Sequence, residues 1–156
     1  MIDSQSVKSS FPGEERGFHG GKLVKGRSRQ VSCDIEGNVW GVHVHAADKS
    51  DTAGGIEWAE QALEGHERLS KVIADQGYKK SFIEHLKKKW KMTVETSMSV
   101  RDPGKVSPKR WIAERCFAWL NGWRICDKEH ERTTSSSEVD LHIIFTRRTL
   151  RAAILR

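Results

Sequence analysis

No apolar run in this 156-residue chain approaches the roughly 20 residues needed to cross a bilayer, so a membrane-spanning helix is not expected. The first residues also lack the apolar segment of a secretory signal. Cys33, Cys116 and Cys126 are odd in number and share no metal-type spacing, which argues against a disulfide framework and a zinc knuckle alike. Internal repeats are absent. These gaps together point to a reducing, cytoplasmic setting.

What the chain does carry is charge. Charged residues make up 31% of it, the formal net charge is +6, and the isoelectric point lies near 9.4. A positive balance of this kind favours a polyanionic partner, and nucleic acid comes before a membrane surface because no basic amphipathic anchor is present. Six tryptophans and an ordinary apolar fraction argue against disorder. The length suits one domain, burying about two-thirds of its unfolded surface in a single core.

Taken in order, residues 1–8 have strand-like ends around a polar centre, and the element holding Asp3 looks short beside a usual strand of about five or six residues. Residues 9–25 read as a long loop. Residues 27–35 and 39–46 form a hairpin across Glu36-Gly37-Asn38. In its second strand His43 and His45 share a face; a metal pair is one reading, and without further ligands nearby structural or solvent-facing histidines are the better one. A helix over 55–70 takes its apolar stripe from Ile56, Ala59, Leu63, His66 and Leu69. A buried strand over 71–74 follows, then a helix over 80–89 that packs Phe82, Ile83 and Leu86 and turns Lys87, Lys88 and Lys89 outward. Residues 92–100 alternate as a strand, and Asp102-Pro-Gly104 turns the chain.

The next helix is the most informative. Ser107 caps it and Pro108 suits its first position. Ile112, Cys116, Trp119, Leu120 and Trp123 make its core face, whereas Arg110, Glu114, Phe117 and Asn121 share another. After a polar connection, Ser135-x-x-Glu138 is a capping box for a last helix reaching about residue 155. Val139, Ile143, Leu150 and Ile154 should point inward there, and Arg147, Arg148 and Arg151 outward. Three antiparallel strands followed by strands alternating with helices imply an α/β fold, a mixed sheet of about five strands flanked by helices. Residues 1–127 form its main body, and 128–156 a helical tail packed on the same domain.

In such sheets, acids at strand ends can meet one from a covering helix. Asp3 lies on the first strand, Asp75 directly follows the strand at 71–74, and Glu114 sits on the helix after the last strand. Three carboxylates supplied this way suit two hard divalent cations, which favour oxygen ligands and leave positions for a phosphate. The chain has 21 acids, however, so spacing alone does not select this triple.

A resemblance does select it. Ile2-Asp-Ser-Gln-Ser-Val-Lys8, Val24-Lys-Gly-Arg27, Val44-His-Ala-Ala-Asp48, Ile73-Ala-Asp-Gln-Gly-Tyr78 and Arg110-Trp-Ile-Ala-Glu-Arg-Cys-Phe-Ala-Trp-Leu120 resemble, in order, the successive blocks of one family. It is the DDE transposases of bacterial insertion sequences, in the insertion-sequence-five group, whose catalytic domain is ribonuclease H-like. The resemblance implies Asp3, Asp75 and Glu114 as catalytic, metal-binding acids and magnesium or manganese, two ions, as cofactor. It implies double-stranded DNA as partner, both the inverted repeats at the element's ends and the target, with Arg110 on a phosphate. Cleavage would free 3′-hydroxyls that attack target DNA. Lys25, Arg27, Lys87, Lys88 and Lys89 would add sequence-independent phosphate contacts. Against the family pattern, a preceding DNA-binding region is missing and Gln76 stands where glycine is commoner. The chain is therefore expected to be the C-terminal part of a transposase, nucleoid-associated, and a homodimer or a partner of the full-length protein. The alternative is a non-catalytic, basic DNA-binding remnant or regulator.

Overall fold

The computed structural model describes residues 1–66, 68–96 and 110–155, with the backbone alone at 110. Its elements run β1 (Ile2–Lys8), β2 (Gly17–His19), β3 (Val24–Cys33), β4 (Val39–Ala46), α1 (Asp51–Ala62), β5 (Lys71–Ala74), α2 (Lys80–Trp90), β6 (Thr93–Thr96), α3 (Arg110–Asn121), a short 3₁₀ turn (Arg124–Cys126) and α4 (Thr134–Ile154). Among the described residues no helix is long and apolar enough to cross a membrane.

The long strand β3 organises a mixed sheet of six strands. Along one edge it takes all of β1 in antiparallel register, from Ile2 opposite Ser32 to Lys8 opposite Gly26. Along the other it takes β2 opposite Val24 to Gly26, then β4 opposite Arg27 to Cys33. Beyond β1 the pairing becomes parallel, through β5 to β6. This is the mixed α/β layer expected from the order of elements. Two details differ. β2 lies inside the stretch read as loop, because three residues beside glycines show no alternation. β1 is also better anchored than its polar centre suggests, with all seven residues on the ladder to β3.

Alternation along the strands divides the core between the two sheet faces. Val31 and Cys33 of β3, with Val42 and Val44 of β4, pack against Ile112, Cys116 and Leu120 of α3 and Leu141, Ile144 and Phe145 of α4. On the opposite face Ile2, Val72 and Ala74 meet Trp58, Ala59, Leu63, Phe82 and Leu86 from α1 and α2. Each of these large side chains contributes about 1.5–3 kcal/mol by leaving water. The core face expected for α3 is present, with Trp119 and Trp123 half-buried at its rim.

Both ends of α1 depart from expectation. It starts at Asp51, where Ser50 Oγ accepts the Ala53 N–H at 3.3 Å, and it ends at Ala62 rather than near residue 70. Gly54 lay just before the expected helix and Gly55 at its start, and both sit inside α1. They are glycines because a Cβ on Gly54 would overlap the His45 ring, and one on Gly55 would press on Tyr78. Gly65, with φ of 79°, then turns the chain away, leaving His66 in a loop edge-on to Trp40 at 5.1 Å.

For α4 the expected inward face is wrong. Ile143 is 61% exposed, and Val139, Leu150 and Ile154 are exposed with it. Ser137, Leu141, Ile144 and Phe145 are buried instead. The helix carries apolar residues on two faces, and its polar anchors choose between them. Thr133 is the cap, its Oγ1 accepting the Ser136 N–H at 3.1 Å, so the Ser135 capping box is not formed. Glu138 is engaged elsewhere, accepting the Val44 N–H of β4 at 2.8 Å. The expected cap at Ser107 and Pro108, the turn at Asp102-Pro-Gly104 and the strand end at Met98 and Val100 lie outside the described residues.

Candidate active site

Asp3 and Asp75 come together through the sheet. Ile2 of β1 is the parallel partner of Ala74 of β5, and each aspartate is the next residue along its chain. Neighbouring strands lie about 4.8 Å apart. β5 stops at Ala74, so beyond Ile2 this edge of β1 has no strand beside it among the described residues. Such a gap beyond the carboxyl end of a strand, where pairing changes direction, is where open α/β sheets bind ligands.

The face of the sheet follows from the pleat. Ile2 is in the core under α1 and α2, so Asp3 belongs to the face covered by α3. Its partner Val31 packs in that second core. Two contacts lay β1 alongside α3. At one end the Cys33 N–H donates to Met1 O at 2.8 Å, while Cys33 Sγ lies 3.9 Å from Ile112 O. At the other, Gln5 Nε2 donates to Asn121 Oδ1 at 3.1 Å. Glu114 is exposed and stands two helical turns before Asn121, on the same side of α3. The side chain of Arg110 lies outside the description.

Asp51, which the sequence reading passed over, also reaches this region. Ser4 Oγ donates to Asp51 Oδ1 at 2.6 Å. Burial, and then the charges of Asp3, Asp51 and Asp75, push the Tyr78 phenol well above its usual range. That hydroxyl donates to Gln30 Oε1. The Gln30 amide group therefore faces His45 Nε2 at 3.0 Å as donor, and His45 Nδ1–H donates to Ala46 O at 2.8 Å. Burial holds His45 below its ordinary value, consistent with this neutral tautomer. His43 is committed too: Nδ1 meets Glu138 and Nε2 meets Glu57, both at 3.0 Å. The two histidines are structural.

The model of the family described as Transposase DDE domain matches residues 1–150. The chain belongs to that family. Curated proteins and solved structures, searched separately, each gave no match.

In this transposase domain the expected basic residues lie on several separate elements. Lys87, Lys88 and Lys89 are exposed at the far end of α2, about 10–13 Å along its axis from Lys80. Lys89 pairs with Glu60 and stacks on Trp90 at 4.7 Å. Lys25 is exposed on β3 opposite Phe18. Lys79 and Lys80, four and five residues after Asp75, are both exposed where α2 begins. Nothing in their local pattern separates them from the other lysines.

Arg27 requires correction. It is 1% exposed, and its guanidinium donates to the backbone carbonyls of Glu14, Glu131, Arg132 and Thr133. It also lies 3.6 Å from buried Glu129, which pairs with Arg29 at 3.3 Å. No N–H is left for a phosphate. Arg27 ties the tail to the sheet.

The donors in the transposase domain suit a hard divalent cation in kind, since all are carboxylate oxygens. Among the described residues, however, no three His, Cys, Asp or Glu side chains are grouped so as to hold a metal ion. Asp3 Oδ1 accepts the Ser4 N–H and Asp75 Oδ1 the Gln76 N–H, each at 2.7 Å, so each acid turns back on the amide that follows it.

Proposed function

We propose that this transposase domain cleaves and joins DNA strands by metal-dependent phosphoryl transfer on a ribonuclease H-like fold, with Asp3, Asp75 and Glu114 as the acids that hold two magnesium or manganese ions. The observation that supports the reading is the parallel pairing of Ile2 with Ala74 in a chain of this family, because Asp3 and Asp75 directly follow that pair at an open strand end. The ions would supply Lewis acidity at the phosphate and an activated hydroxyl. Asp3 and Asp75 bring negative charge from the sheet and Glu114 from α3. The substrate is double-stranded DNA, and its backbone would run between the acids and the nearby Lys79 and Lys80, with Lys25, Lys87, Lys88 and Arg110 adding salt-dependent contacts. A nucleoid location follows from such a substrate.

Plasmid nicking by the purified chain in magnesium or manganese tests this. Asp75→Ala and Glu114→Ala should each lose at least about 100-fold in nicking and barely change DNA binding. Residual nicking equal to that of the unmodified chain in both variants would overturn the reading. Among the described residues no three acids are grouped to hold a metal ion, and this favours a second reading, a DNA-binding domain without catalysis. That one requires retained DNA binding with no saturable manganese binding.

A further inference from the structure

The ladder between β1 and β5 holds one registered pair, so backbone pairing alone does not set the distance between Asp3 and Asp75. Something else must span the opening, and the first two residues of α1 do. Asp51 Oδ1 accepts the Ser4 hydroxyl at 2.6 Å, gripping β1 one residue after Asp3. Its other oxygen faces Gly77, where an added Cβ would come within 2.9 Å of Oδ2. Thr52 completes the grip. Its Oγ1 donates to Gly77 O at 3.1 Å and accepts the Lys79 N–H at 2.9 Å, which fastens the turn that carries Asp75. The Ser50 cap fixes where this helix end sits, and a carboxylate in the first turn is favoured by the helix dipole.

We propose that Asp51 is a positioning residue of the metal site: through Ser4 on one side and the turn at Gly77 on the other, it holds Asp3 and Asp75 at the separation at which they share a divalent cation. The inference rests on the function proposed above. Asp51 is not itself a ligand, since Oδ1 is spent on Ser4 and Oδ2 lies against the turn. It acts through a hydrogen bond that a neutral amide oxygen can also accept.

Manganese binding to the purified chain, followed by calorimetry, separates the two ideas. Asp51→Ala and Ser4→Ala should each weaken binding about 10-fold, the size of effect usual for residues that orient a ligand. The double variant should be no worse than the weaker single one. Asp51→Asn, which keeps an acceptor for Ser4, should stay within about 3-fold of the unmodified chain. Asp51→Asn as damaging as Asp51→Ala would overturn the proposal in favour of a direct charge effect. Unchanged affinity in Asp51→Ala and Ser4→Ala, or additive losses in the double variant, would overturn it as well. Ser4→Ala removes only a hydroxyl, so it keeps the test decisive if Asp51→Ala fails to fold. Failure of the underlying reading looks different: the unmodified chain would not bind manganese, or Asp75→Ala would bind it undiminished.

Discussion

Ile2 and Ala74 face each other on parallel strands, and among the described residues they are the only registered pair between β1 and β5. Both side chains lie in the core under α1 and α2. The aspartates that follow them leave from neighbouring strand positions, but one registered pair does not by itself fix their separation.

Arg27 serves the fold. Arg27→Ala should cost about 3–5 kcal/mol, because it leaves Glu129 short of a buried partner and removes the hydrogen bonds to several backbone carbonyls of the tail. Lys25→Ala should change stability by less than about 0.5 kcal/mol but lower the salt slope of DNA binding by about one. Urea unfolding and DNA titrations at several salt concentrations measure both. An Arg27→Ala chain of ordinary stability with weakened DNA affinity would restore this residue to the DNA surface.

His43 makes stability depend on pH. Burial opposes its charge, but hydrogen bonds to Glu138 and Glu57 outweigh that and raise its pKa above the ordinary value. A raised folded-state pKa contributes stability that is fully present below the unfolded value, about 6.5, and lost as pH rises through the folded one. His45 is shifted the opposite way and Lys49 also pairs with Glu57, so the informative quantity is a difference. The melting-temperature gap between the unmodified chain and His43→Gln should be widest near pH 5.5–6 and shrink toward pH 9. A gap that grows with pH would refute this role for the His43 pairs with Glu138 and Glu57.

Gly54→Ala should destabilise by about 1–3 kcal/mol, although alanine is the better helix former, because its Cβ would strike the His45 ring and the Gln30 amide. Gly20→Ala meets no atom within 4 Å and should be close to neutral. Denaturant midpoints compare the two directly.

The orientation of α4 is tested by a contrast. Leu141→Ala should cost about 2–5 kcal/mol, whereas Ile143→Ala, on the exposed face, should cost under about 0.5 kcal/mol. Equal costs would mean that the apolar face at Ile143 is covered.

The elements that could be read in advance were those with one unambiguous stripe. In α2, Phe82 and Leu86 face in and Lys87 to Lys89 face out; in α3, Ile112, Cys116 and Leu120 mark a single core side. The misreadings fell where two patterns competed. In α4 both faces are apolar, and α1 begins at Asp51, four residues before the expected start at Gly55, with Gly54 and Gly55 serving close packing inside it. Arg27 has the charge of a DNA ligand, and only its surroundings reveal a structural role.

By itself, then, the order of residues determined the alternating elements, the mixed sheet and the blocks that place this chain among the DDE transposases, because periodicity and motif order are local properties. The tertiary structure alone decided that Asp51 reaches Ser4 and that Arg27 is enclosed by the tail. These are contacts between segments far apart in the chain. Backbone pairing and burial set them, and no short window of residues encodes either.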